Sequence, residues 1–153
     1  MAKDIDQILR ASAVTIEIPI AWGEMDALGH VNNVVFFRYI ESARVAFIRA
    51  LGWKDPRAGS GHLGLGGVGF ILQSVQLRFR RPLEYPDTLK VTSRLVSVEA
   101  DRFTLAHEII SGALGDVAAL GEGTVVTYDY AKGEKTEMPA GLRALLEGFG
   151  RGR

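Results

Sequence analysis

The sequence predicts an α+β fold in which an antiparallel sheet curls around one long helix, and three observations carry that prediction. From about Asn33 to Leu51 the chain is apolar on almost every side, with a narrow polar stripe at Arg38, Ser42 and Arg49, so a helix here needs cover nearly all round. Five other stretches alternate apolar and polar residues with a period of two, one before that helix and four after it. Short turn signals at Ala100-Asp101 and Ser111-Gly112 join the later stretches, which predicts four strands in succession as an antiparallel meander.

Residues 1–12 read as a lead-in, frayed or folded into a short helical turn. In Val14 to Ala21, Val14, Ile16, Ile18 and Ile20 oppose Thr15 and Glu17, the pattern of a half-buried strand. Pro19 places that strand at an edge or a bulge. Asn32 or Asn33 is a good N-cap for the long helix, and Gly52 closes it at a C-cap position. A glycine-rich connection covers residues 54–69. Beyond it, Val75, Leu77 and Phe79 oppose Ser74, Gln76, Arg78 and Arg80, and Leu89 to Val98, Arg102 to Ile110 and Val117 to Tyr130 continue the series. Pro139 to Phe149 reads as a short C-terminal helix, and residues 150–153 as a loose tail.

Composition narrows the function. The 153 residues, 47% of them hydrophobic, make a single domain over 1–153 with a sizeable core. Eighteen basic and 18 acidic residues cancel, which argues against a nucleic-acid binder relying on a broad positive field. The chain has no cysteine, so a disulfide framework, a thiolate nucleophile and a cysteine zinc site are all excluded, and any nucleophile is oxygen or water. No apolar run approaches ~18 residues and the N-terminus lacks a secretory pattern, so the expectation is a cytoplasmic protein that does not enter a membrane.

Chemistry concentrates just ahead of the long helix. Asp26, His30, Asn32 and Asn33 lie within eight residues, and the helix begins directly behind them. The unpaired amides of a helix N-terminus suit developing negative charge, and a carboxylate just upstream can act as a base. The competing reading makes Asp26 and the asparagines ordinary turn and cap residues.

The string Glu24-Met25-Asp26-Ala27-Leu28-Gly29-His30-Val31-Asn32-Asn33, with Glu41, Arg44 and Leu51-Gly52 on the helix that follows, resembles the signature of hot-dog-fold acyl-CoA thioesterases of the 4-hydroxybenzoyl-CoA thioesterase-like family. Arg80-Arg81-Pro82-Leu83, followed by Tyr85-Pro86-Asp87, resembles the family's second strand and the turn after it, and the likeness spans roughly residues 13 to 130. It implies a hot-dog fold of about five strands around one central helix, assembled as a dimer or tetramer with active sites at the interface. It implies hydrolysis of acyl-CoA to a free acid and CoA, with Asp26 as general base or nucleophile and the backbone N–H of Asn33 as oxyanion donor. No cofactor is implied, since a thioester needs a carboxylate and an oxyanion site rather than a metal.

The remaining candidates follow from that frame. His30 either contacts the thioester, orients Asp26 or braces the turn. Asn32 and Gly67 are expected to contact the substrate, and Arg80, Arg81 and Arg102 to take the phosphates of CoA, with solvated strand faces as the competing reading. Glu99-Ala100-Asp101-Arg102 stands where the family carries a basic cluster, so acyl carrier protein becomes a possible substrate carrier. The match to Gly-x-Gly-x-x-Gly at Gly59, Gly61 and Gly64 follows a helix and precedes a strand, the reverse of a dinucleotide fingerprint, so a loop that lets backbone approach a ligand is the better account. Glu41 is expected to pair with Arg38 or Arg44, His107 to be a satisfied core histidine, and a zinc site from Asp26, His30 and His62 is disfavoured. The alternatives are an acyl carrier protein thioesterase, a hot-dog dehydratase or hydratase, whose histidine motif is not found here, and a non-catalytic acyl-binding module.

Overall fold

The computed structural model describes residues 4–56 and 67–149. Its elements run α1 (Ile5–Ala11), β1 (Val14–Pro19), a 3-10 turn (Trp22–Glu24), α2 (Asn33–Leu51), β2 (Val68–Phe79), β3 (Thr88–Val98), β4 (Arg102–Ser111), β5 (Asp116–Asp129), β6 (Glu134–Lys135) and α3 (Ala140–Phe149). Gly59, Gly61, Gly64 and His62 lie outside the described residues, as does the tail at 150–153.

All strand pairs are antiparallel, in the order β1-β3-β4-β5-β2, with the two-residue β6 added beside β5. The expected meander therefore holds only for β3, β4 and β5. β2 lies beyond β5 rather than beside β3, because the eight residues from Arg80 to Asp87 form a crossing loop and β1 occupies the outer edge of β3. β2 also begins at Val68, earlier than alternation from Ser74 indicates. Pro19 ends the edge strand β1, where its missing N–H disturbs no central ladder.

Curvature comes from register shifts at Leu72/Ser74, Leu95/Ser97 and Ile109/Ile110, each of which bends its strand. At Gly121 the carbonyl oxygen of Gln76 would stand 2.0 Å from any added Cβ, so only glycine permits this approach of β5 and β2. The curled sheet wraps α2, which starts at its Asn32 cap and ends at Gly52 as the sequence predicts.

The interior around α2 has two apolar parts. Phe36, Tyr39, Ile40 and Ala43 pack with Ile20, Val31, Leu83, Leu89, Val91 and Ile109 at the helix's N-terminal end. Phe47 and Leu51 pack with Leu95, Phe103, Leu105, Leu142 and Leu146 at the other, where α3 closes the barrel-like curl. Between them sits a polar layer. Arg44 is 8% exposed and its Nη1 has no hydrogen-bond partner among the described residues; His107 is 1% exposed and its Nε2 has none among them either. The His107 Nδ1 lies 3.0 Å from both the Thr92 carbonyl and the Ser93 hydroxyl, so the histidine is half satisfied, not fully as expected. Burial, with Arg44 adding to it, pushes its pKa down to about 4. On the outer face α1 lays Ile8 against Ile110 and Val117.

Candidate active site

The chain enters the site through the 3-10 turn, whose Glu24 Oε1 accepts the Ala21 N–H at 2.7 Å. A tight turn follows: the Gly29 N–H donates to the Asp26 carbonyl at 3.0 Å, the Asp26 N–H to the His30 carbonyl at 3.0 Å, and Gly29 adopts φ +79°, which an L side chain would strain. The loop is stitched at its base by an isolated bridge between Met25 and Val31, and the Val31 N–H donates to the Leu83 carbonyl at 2.8 Å.

Inside this frame the Asp26 carboxylate is exposed but oriented. Its Oδ1 accepts the Leu28 N–H at 2.9 Å and its Oδ2 the Asn32 side-chain amide at 3.3 Å. Asn32 is the N-cap of α2: its Oδ1 accepts the Val34 N–H at 2.9 Å. The turn-and-cap reading of these residues is therefore true of their hydrogen bonds, and it leaves the carboxylate facing solvent beside the helix start. Asn33 is the first residue of α2, and its amide points out of the helix with no acceptor among the described residues. Carboxylate and open first-turn amide thus meet at one helix terminus.

His30 turns away from Asp26. Its Nε2 lies 3.2 Å from Glu84 Oε1 on the β2–β3 loop, in a half-exposed pair. Arg80 and Arg81 lie close by in sequence to Leu83 and Glu84, and both backbone N–H groups bond the Ala118 carbonyl, at 2.8 and 3.0 Å. The Arg81 guanidinium is taken by Asp116 at 2.7 Å, a contact that holds the Asp116 carboxyl below its ordinary range. Arg102 is a full strand away: its Nε and Nη2 form a fork on Asp101 at 2.8 and 3.1 Å, and its Nη1 donates to the Gln73 side-chain Oε1 at 2.9 Å. Gly67 sits at the same far end, just before β2, with its carbonyl accepting the Tyr130 N–H at 3.0 Å and the Asp55 carboxylate 2.7 Å from where a Cβ would stand. The structure therefore brings together Asp26, Asn32 and Asn33, sets His30 on the same turn facing Glu84, and places Arg80 and Arg81 at the start of the loop that carries Leu83 and Glu84, while Gly67 and Arg102 lie at the other end of their strands within one chain. Glu41 is exposed; its charge acts on Arg44, and among the described residues neither Arg38 nor Arg44 makes a direct ion pair with it.

Three partners of the site were not legible in the motif. Glu84 holds His30; the buried Tyr39 hydroxyl donates to Glu24 Oε1 at 3.0 Å; and the Glu24 carbonyl accepts the Asn32 N–H at 3.0 Å. Glu24 stands in the motif string, but its bonds leave no sequence signal, because Ala21 has no side-chain acceptor with which to complete a capping box. Tyr39 and Glu84 have none, since they arrive from other elements.

An antiparallel sheet curled around one long helix is the hot-dog fold, on which a class of thioester hydrolases is built. Residues 20–146 match the family model described as the thioesterase-like superfamily, and the chain belongs to that family. Among curated proteins it is 23% identical over 134 residues to the long-chain acyl-CoA thioesterase FadM of Escherichia coli, covering 86% of this chain and 95% of FadM. Among solved structures, a protein from Pseudomonas aeruginosa named as a candidate thioesterase superposes with a TM-score of 0.70 at 28% identity, covering 85% of this chain and 95% of that one. A 1,4-dihydroxy-2-naphthoyl-CoA thioesterase from Synechocystis shares the fold with a TM-score of 0.72 at 17% identity, covering 86% and 93%. No helix among the described residues is long and apolar enough to cross a membrane.

Proposed function

We propose that this chain hydrolyses acyl-CoA thioesters to a free acid and CoA, with Asp26 supplying the carboxylate and the Asn33 amide the oxyanion contact. The observation that carries the reading is the exposed, doubly hydrogen-bonded Asp26 carboxylate beside the open first turn of α2. A thioester carbonyl is electrophilic and its thiolate leaves readily, so two groups suffice. In one route Asp26 removes a proton from water as the oxygen adds to the carbonyl carbon; the oxyanion rests on the Asn33 N–H, and collapse expels the CoA thiolate, which is then protonated. In the other Asp26 attacks the carbonyl carbon, expels the thiolate and forms an anhydride that water cleaves. Asn32 steers the carboxylate in either route. His30, tied to Glu84, forms the wall of the site rather than its base.

Arg80 is the phosphate contact best placed at this end, because Arg81 is engaged by Asp116. The reading includes a dimer. β2 is a 12-residue edge strand with Ile71, Leu72 and Phe79 exposed, and α2 exposes Val34 and Val45 on its own surface, an apolar edge that invites strand pairing. Antiparallel pairing of two β2 strands would carry Gly67 and Arg102 of a second copy toward the Asp26 end of the first. A second reading, hydrolysis of thioesters borne on acyl carrier protein, draws on the engagement of Arg81 and Arg102 by Asp116 and Asp101, which leaves less free positive charge for a nucleotide.

Thiol release from short, long and aromatic acyl-CoAs, and from the same acyl groups on carrier protein, tests both readings with wild type and Asp26→Asn side by side. Turnover of a CoA ester by wild type and its loss in the variant is the expected result. Turnover on carrier protein alone moves the substrate class, and equal rates in both proteins remove Asp26 from the mechanism.

A further inference from the structure

We propose that Glu24 and Tyr39 form a positioning joint that sets the distance between the Asp26 carboxylate and the Asn33 amide; the catalytic part of this inference rests on the hydrolase reading above. Those two groups lie on a loop and on the helix that follows it, and within the loop, among the described residues, the tie between them is the single 3.3 Å bond from the Asn32 side chain to Asp26. Glu24 touches both pieces. Its Oε1 accepts the Ala21 N–H at 2.7 Å and the Tyr39 hydroxyl at 3.0 Å, while its carbonyl accepts the Asn32 N–H at 3.0 Å. Asn32 in turn caps α2 and bonds Asp26. A line of hydrogen bonds thus runs from the second turn of α2 through Glu24 to the cap and on to the carboxylate.

The joint is rigid for a physical reason. Tyr39 is 2% exposed, with its ring against Phe36 at a centroid distance of 6.1 Å, so its hydroxyl enters from a packed core and has little freedom to follow a shifting carboxylate. Burial first, then the Glu24 charge and its hydrogen bond, push the phenol's pKa upward, which keeps it a donor at any working pH. A joint of this kind acts on the barrier and not on substrate affinity, since displacement of the carboxylate from the attacking position costs rate even where the acyl group still binds.

Tyr39→Phe, Glu24→Ala, Glu24→Gln and the double variant Glu24→Ala/Tyr39→Phe test it, by thioester turnover and by amide hydrogen exchange in the intact protein. Tyr39→Phe and Glu24→Ala are each expected to lower kcat roughly ten- to a hundredfold with KM within about twofold. The double variant should fall no further than the worse single one, and Glu24→Gln, which keeps an acceptor for both donors, should retain most of the rate. The Asn32 amide should exchange faster in Tyr39→Phe while the amides of β4 keep their protection. A wild-type kcat in Tyr39→Phe, a loss carried by KM, or faster exchange spread equally over β4 would each overturn the joint. If wild type cleaves no thioester, the hydrolase reading falls by itself, and the Asn32 exchange rate then decides the joint: unchanged protection in Tyr39→Phe refutes it, selective loss upholds it.

Discussion

At its N-terminal end α2 is held by hydrogen bonds reaching in from loops: Asn32 to Val34 and Asp26, Glu24 to Tyr39, Val31 to Leu83. At its C-terminal end it is held by side-chain packing, with Phe47 and Leu51 against Leu142 and Leu146 of α3 and the Phe47 ring 5.6 Å from that of Phe149. The first end leaves Trp22, Leu28 and Val34 exposed and presents a carboxylate to solvent; the second is covered by α3, with Leu142 and Leu146 buried and Leu145 facing out. Packing thus grips the helix at both ends, and the loop end adds directional bonds that fix the geometry of its polar groups.

Substitutions at the two ends should fail in different ways. Asp26→Asn keeps shape, gives up one of the two hydrogen bonds that the exposed carboxylate accepts, and is expected to lower kcat at least roughly a hundredfold at a stability cost of about 1 kcal/mol or less, whereas Leu142→Ala should cost about 3 kcal/mol of stability while the remaining folded molecules keep their kcat. Thermal unfolding beside turnover checks the pair, and a matched loss of stability in Asp26→Asn would erase the contrast. The layer between the ends sharpens it through pH. Because the His107 pKa falls from 6.5 in the unfolded chain to about 4 in the folded one, the unfolded chain binds the proton more readily between those values. Stability should therefore be complete above pH 6.5 and decline as pH falls toward about 4, by about 3 kcal/mol, a slope that His107→Gln removes in urea melts taken along the pH series.

Smaller effects belong to the cap and the surface. Asn32→Ala should cost about 1 kcal/mol as a lost N-cap, with a fall in kcat exceeding what that stability change explains because Asp26 loses a donor. Arg81→Gln breaks an exposed pair with Asp116 and should move the melting temperature by about 1 °C or less, measured by calorimetry.

The parts of this design that depend on neighbours in sequence were legible in it. The bounds of α2 follow from the Asn cap and Gly52, β3 to β5 from alternation and short turns, and the nearness of Asp26 to the start of α2 from their spacing; the roles proposed for Asp26 and Asn33 come from the family resemblance. What depends on distant contacts was not. The eight-residue link after β2 is long enough to allow pairing with either β3 or β5, so local pattern could not choose. His30 meets Glu84 across 54 positions of chain and Arg81 meets Asp116 across 35, separations that leave no mark on spacing. Gly67, expected at the substrate, lies within one chain at the other end of the 12-residue strand β2 from Arg80.

The Arg44–His107 layer has a further consequence, for how the molecule comes apart. Two apolar clusters separated by a pair of incompletely bonded polar groups cannot share one continuous contact network, so the helix is gripped twice along its length. Each grip can slip on its own. Local opening of the loop end then need not loosen the end covered by α3, so the two ends should lose hydrogen-exchange protection separately.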